Sequence, residues 1–305
     1  MTGPHDHAGD EMPILDPPQR VSGMRVPDAE TWRLPGKPEG LESASEDAWR
    51  QTGFVLGAEL RLIEADLALQ LRLVGAGYQP AARTMTMAAF ASLWSRGFSC
   101  LADATSLARR GAYQSAVPLV RQAVEHISAQ AALGGEFDVF KEWAHKAYGR
   151  HAPSHAEEVG LGHYFAGEAI ANDEQLRIIY RGASDLGRPN FGPTALFVAN
   201  EASHERYPLI FADSAFHFGW AQLVLGWVLR CGLKQLHIAM HAPTLFPAAQ
   251  EVRDAVVEHT SAVEALLGDD ARCHLEEFVD DEGRRRHLLV QFRRQPADAS
   301  KRILL

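Results

Sequence analysis

Arg121 and His126 stand five positions apart in Arg121-Gln-Ala-Val-Glu-His126, a spacing with a plain chemical use. A guanidinium can hold a phosphate while an imidazole moves the proton of a ribose 2′-hydroxyl, the two acts that RNA cleavage requires. Pairs with four to six residues between the arginine and the histidine recur at Arg150/His155, Arg230/His237 and Arg253/His259. A chain this rich in both residues yields roughly three to four such pairs by composition alone, so the spacing by itself singles out none of them. The plain reading of His126 is a polar residue partly buried in a helical bundle.

Metal chemistry has weaker footing. Glu142-Trp-Ala-His145 and Glu201-Ala-Ser-His204 are E-x-x-H units, the pattern that di-iron bundles carry on facing helices. The second unit falls in a polar stretch where positions three apart do not align. His237-Ile-Ala-Met-His241 sets two imidazoles on one helical face, but no glutamate follows His237, so the zincin pattern is absent. Their ordinary role is to face the dipole at a helix C-terminus. No cofactor is expected. Phosphate loops, nucleophile elbows and dinucleotide-binding glycine motifs are missing, which disfavours a nucleotide-binding α/β enzyme. Arg284-Arg-Arg286-His287, with Arg293 and Arg294, is the strongest local positive patch, and Glu276, Glu277, Asp280, Asp281 and Glu282 balance it as a solvated hairpin face.

The net charge of −9 over 305 residues argues against a coat for duplex DNA, whose affinity comes from neutralised phosphates, but leaves room for RNA in a local cleft. Cys100, Cys231 and Cys273 are odd in number and far apart, which points to buried free thiols and a reducing, cytoplasmic setting. The acidic N-terminus is unlike a secretory signal. The longest uncharged apolar stretch, residues 214–229, is too short to span a bilayer and reads as a buried helix, so no membrane association is expected.

The elements that must position these residues are helices. Residues 1–44 hold seven prolines and eight acidic residues against four basic ones, which predicts a disordered or draped tail, anchored by Trp32 and Leu34 and removable at little cost in stability. A bundle domain over 45–268 follows. A capping box at Ser43 and Glu46 starts a helix to about Val74, on the stripe Leu56, Leu60, Ile63, Leu67 and Leu71. A second helix runs from about Ala81 to Arg110, a third from Tyr113 to Leu133 and, after Gly134–Gly135, a fourth from Glu136 to Tyr148. Ser154 with Glu157 opens a helix through Ala171, and Asn172 caps another to Leu186. Two prolines and two glycines within 187–193 exclude a helix there, and the β-like runs 195–199 and 207–211 suggest a small hairpin. Ser214 caps the most apolar helix, reaching Met240, and a last helix covers 248–267. Residues 269–305 form a hairpin appendage, with 273–279 and 286–292 alternating around Asp280-Asp-Glu-Gly283. The fold class is all-α, a bundle of seven to eight helices with one or two small β-hairpins.

One stretch resembles a known group. Leu107-Ala-Arg-Arg-Gly111 followed by Ala112-Tyr-Gln-Ser-Ala-Val-Pro-Leu-Val-Arg121-Gln-Ala-Val-Glu125, and later Ile179-Tyr-Arg-Gly-Ala-Ser184, is similar to HEPN-like helical families of bacteria whose function is unassigned, over about residues 84–236. The resemblance implies a ribonuclease of defence or stress type or a degenerate relative, with Arg121, Glu125, His126, Arg181 and Ser184 as the site. Gly187 or Arg188 stands where that group continues to a histidine, which puts cleavage in doubt. Arg121 and Glu125, four apart among apolar neighbours, are expected to project towards the interior and to meet Arg181 or Ser184. A non-enzymatic module that self-associates into a homo-oligomer through the helix beginning at Ser214 is the alternative, and a di-metal carboxylate bundle the third.

Overall fold

A helix that is apolar on every side cannot face water anywhere, and Phe218–Met240 is such a helix over its first half, up to Leu229. Trp220, Leu225 and Leu229 on different faces are all fully buried, so other elements must enclose it. The computed structural model describes residues 24–77, 84–148, 166–199, 202–242, 246–294 and 302–305. Within them nine helices run in the order α1 Ser43–Val55, α2 Gly57–Gly77, α3 Met85–Arg109, α4 Tyr113–Tyr148, α5 Gly167–Asn172, α6 Glu174–Leu186, α7 Phe191–Val198, α8 Phe218–Met240 and α9 Gln250–Leu267. The strands β1 His274–Val279, β2 Arg285–Val290 and β3 Ile303–Leu304 form one antiparallel sheet in that order. The all-α class with a small hairpin is what the structure shows.

The apolar helix α8 is the axis. Helices α2, α3, α4, α6 and α9 and strand β1 all pack on it, and α3 also packs along α4. A short polar string ties α2 into this sheath: Trp94 Nε1 donates to Gln70 Oε1 at 2.7 Å, and Gln70 Nε2 donates to Asp66 Oδ2 at 2.7 Å. Asp66 lies 3.3 Å from His259 of α9, and Glu59 pairs with Arg272 at 2.5 Å, both pairs buried. The α3–α4 connection closes in a Schellman turn, with Gly111 at φ 77° and Ala112 N donating to Leu107 O. A Cβ on Gly111 would lie 2.0 Å from the Ser214 carbonyl oxygen, so glycine is required on both grounds.

Several boundaries differ from the sequence expectation. The first long helix breaks at Leu56 between Gly53 and Gly57, both weak helix formers. Glu42, without a side-chain bond, occupies the N-cap where Ser43 was expected. The third and fourth helices are one, α4, because packing offsets the roughly 1 kcal/mol that each of Gly134 and Gly135 costs. Asp173, not Asn172, caps α6, and His217, not Ser214, caps α8 by accepting from Trp220 N at 3.2 Å. The hairpin expected at 195–211 is instead α7, where Pro193 sits in the first turn and its missing N–H costs nothing. Residues 202–217 contain no strand.

The β-sheet is no appendage. Leu289 is fully buried, and Phe292 packs edge-on against Trp220 at 5.0 Å. Residues 24–42 are draped over α2 and α3, with Trp32 against Phe98 at 5.6 Å and Leu34 N donating to Glu64 at 2.9 Å. With these contacts, a truncation reaching residue 40 uncovers part of the core, against the expectation that it would cost little. The capping box at Ser154, the pair Arg150/His155 and residue Glu201 lie outside the described residues, as does the side chain of His145. Most of α8 between Phe218 and Leu229 is enclosed by its own chain. Among the described residues, no helix is long and apolar enough to cross a membrane.

Trp220 is the test of this enclosure. Its ring stacks on Phe197 at 4.4 Å, and its Nε1 donates to Leu196 O at 3.2 Å. Trp220→Ala is expected to lower stability by about 3–5 kcal/mol in a denaturant melt, and a loss below about 1 kcal/mol would show that the ring is not part of the core.

Candidate functional site

Helix α6 begins with the Asp173 carboxylate accepting from Leu176 N at 2.9 Å, and the same carboxylate pairs with Lys234 of α8 at 2.5 Å. These bonds lay the helix on α8 with Leu176, Ile179, Ala183 and Leu186 inward. Gly182 admits the hairpin closely, since a Cβ there would lie 2.1 Å from Leu275 Cδ1. The opposite face of α6 and the face of β2 that carries Arg285 and His287 then bound a cleft of about 1080 Å³, completed by the first turns of α4, by α7 and by β3.

Five arginines line that cleft: Arg121 from α4, Arg181 from α6, Arg188 just beyond it, and Arg285 and Arg286 from β2. Asp185 supplies the one side-chain carboxylate of the lining among the described residues. The arginine side chains are between 38% and 62% exposed, so water and solutes reach them. Each is held by a carboxylate at its flank: Arg121 to Glu125 at 3.4 Å, Arg188 to Asp185 at 3.1 Å, Arg286 to Asp280 at 3.1 Å, and Arg285 and Arg181 to Glu277 at 3.1 and 3.9 Å. Such exposed pairs are worth only about 0–1 kcal/mol, so they aim the guanidinium groups without consuming them. Arg121 Nη2 also donates to the Tyr180 hydroxyl at 3.3 Å, with its guanidinium over the Tyr180 ring at 5.2 Å.

His287 is the imidazole of the lining, and it is almost fully buried. Its Nδ1 lies 3.6 Å from Asp185 and its Nε2 3.6 Å from Glu277, so both nitrogens face carboxylates. Burial lowers its pKa and the two carboxylates restore it only in part, which leaves the ring neutral at pH 7. Burial alone would raise the Glu277 carboxyl, but the hydrogen bond and charge of Arg177, with the charge of Arg285, outweigh it and hold Glu277 below its ordinary range.

Of the residues expected from sequence, Arg121, Arg181 and Ser184 come together in this lining. Glu125 sits behind Arg121 as its ion-pair partner. His126 does not join them. Five positions on an α-helix turn the side chain by roughly 140°, which takes His126 out of the cleft lining, and the charge that acts on it is that of Arg96 on α3. The expectation that Arg121 projects inward is also corrected. The buried arc of α4 runs through Val117, Val120, Val124 and Ile127, and Arg121 stands at its margin, 45% exposed. Ser184 Oγ donates to the Tyr180 carbonyl of its own helix at 2.7 Å, and Arg181 turns to Glu277.

Sequence reasoning gave no site role to Tyr180, Arg188, Arg285, Arg286 and His287. The arginine run at 284–286 was visible, but nothing local says that a hairpin 100 residues on lands against α6. Of the other arginine–histidine pairs, the two among the described residues are apart from the cleft: Arg230 bonds Glu264, His237 meets Thr260 at 3.2 Å, and His259 meets Asp66. Among the described residues, no three histidine, cysteine or acidic side chains cluster as a metal would require, and His204 lies in an irregular segment. The three cysteines are buried free thiols, and burial pushes the Cys273 thiol up to about 12. Against protein-family models, curated proteins and solved structures, the chain shows no match.

His126 leaves a measurable trace. Burial first, and Arg96 second, push its pKa down from 6.5 to about 4. Between those values the unfolded chain binds a proton that the folded protein refuses, so stability falls as pH drops from about 6.5 to about 4. His126→Gln is expected to lose that part of the fall, its melting temperature gaining on wild type across the window. Parallel melting-temperature curves would show that His126 protonates freely in the folded state.

Proposed function

We propose that this protein binds a phosphate-bearing ligand of the nucleotide class in the arginine cleft, and that it acts as a binding module and not as an arginine–histidine ribonuclease. The convergence of five partly exposed arginines from three separate parts of the chain carries this reading. Planar guanidinium groups match phosphate oxygens in pairs, and weak flanking ion pairs are readily exchanged for stronger ones to phosphate. RNA, the partner expected from the sequence, is the polymeric form of such a ligand. In the HEPN-like frame this corresponds to a relative that keeps phosphate binding without the cleaving pair. The geometry favours binding over cleavage because His126 lies off the cleft and His287 presents both ring nitrogens to carboxylates.

The overall charge of −9 works against long-range attraction of a polyanion, so affinity must be local and salt-sensitive. Affinity for a labelled RNA strand should fall with salt with a slope of roughly −0.7 per neutralised phosphate. Inorganic tripolyphosphate should compete for the same site. Arg181→Glu and Arg188→Glu should each weaken both ligands about tenfold or more, while Arg50→Glu, on α1 and outside the lining, should not. Equal binding by wild type and the two cleft variants, or no binding at all, would remove this reading.

A further inference from the structure

We infer that the ligand of the arginine cleft is a single-stranded polynucleotide, with an unpaired base stacked on Phe191 at the cleft rim. This rests on the phosphate-binding reading above and adds what the arginines cannot say, namely that bases are recognised as well as phosphates.

Phe191 opens α7 and is 97% exposed. The residues on either side of it, Asn190 and Gly192, line the cleft, so Phe191 stands at the cleft's rim. The helix is fixed from its other end: Phe197 stacks on the buried Trp220, and the Leu196 carbonyl accepts from the Trp220 indole. An anchored helix thus holds a bare phenyl ring beside a cluster of cations. Burying a phenyl ring gains free energy, and this chain has enough buried surface elsewhere to have used it. A ring left in water next to five guanidinium groups has the composition of a single-strand site, in which aromatic faces take bases while cations take the backbone. Within the cleft the Arg121 guanidinium, held over Tyr180, provides a second flat surface of the same kind. Further apolar side chains are exposed past the end of α7, where Ile210 N donates to Val198 O and the neighbouring Leu209 and Phe211 are 67% and 95% exposed. A duplex would keep its bases paired and unavailable to any of these surfaces.

The test compares three labelled ligands on the full chain by fluorescence anisotropy: an oligoadenylate of about twelve nucleotides, an abasic strand of the same length, and a duplex. The single strand should bind at least fivefold tighter than the abasic strand, and the duplex more weakly than the single strand. Phe191→Ala, which touches no core residue, should cost the oligoadenylate about fivefold or more and leave the abasic strand within about twofold. In Phe191→Trp the indole emission should be quenched by oligoadenylate and not by the abasic strand. If the arginine-dependent binding is intact but indifferent to bases and to Phe191, this inference fails while phosphate binding stands. If no strand binds, both fail. If Phe191→Ala leaves RNA affinity unchanged and lowers a self-associated mass in sedimentation, the ring serves a second copy of the chain and the inference is overturned.

Discussion

Much of this fold follows from α8 having, over its first half, no side that tolerates water. A helix with one apolar stripe needs one neighbour, whereas this one needs a full sheath, and α2, α3, α4, α6, α9 and β1 supply it. Its ends show how the rule is met. His217 at the N-terminus satisfies a helix amide and is itself buried, stacked on Phe292 at 4.6 Å. Along the axis the buried Gln222 and Gln235 bond backbone groups of neighbouring elements: Gln222 accepts from Cys273 N, and Gln235 donates to the Trp94 carbonyl. Polar atoms inside the sheath would otherwise cost about 1–3 kcal/mol each.

The sheath also decides where the cations go. Because α6 and β1 must both lie on α8, the outer face of one and the adjoining face of the hairpin are forced to share an edge, and the arginines of each are brought into view of the other. Among the described residues, five arginines line the cleft, and the carboxylates that pair with them sit at its flanks more than in it. The arrangement keeps the guanidinium groups ordered in an acidic protein without closing them off from solutes.

The buried charges play a different part. Glu59 with Arg272, and Asp66 with His259 and Gln70, join α2 to the segment before β1 and to α9. Burial pushes the Asp66 carboxyl above its ordinary range, while His259 and Gln70 pull it back. Pairs of this kind return little net stability once desolvation is counted, but breaking one partner alone is severe. Their physical effect is to fix which residue of α2 faces which residue of its neighbours.

The sequence by itself determined what depends on near neighbours. The leucine stripe of α2, the all-round apolarity of α8 and the alternation about Asp280–Gly283 are periodicities of a few residues, and each produced its element. Arg121, Arg181 and Ser184 were recognisable as candidates because polar residues beside apolar stripes stand out. Tertiary structure alone decided the rest. Gly134 and Gly135 argue locally for a helix end, and α7 reads locally as a strand, but packing on Trp220 and along α3 outweighs propensities worth about 1 kcal/mol per residue. The separation of Arg121 from His126 is local, five positions on one α-helix, but which of the two faces the cleft follows from which arc of α4 meets α3, and the meeting of Arg181 with Arg285 from where a distant hairpin lands. Those last two depend on contacts between segments far apart in the chain, and no pattern confined to a few consecutive residues can encode them.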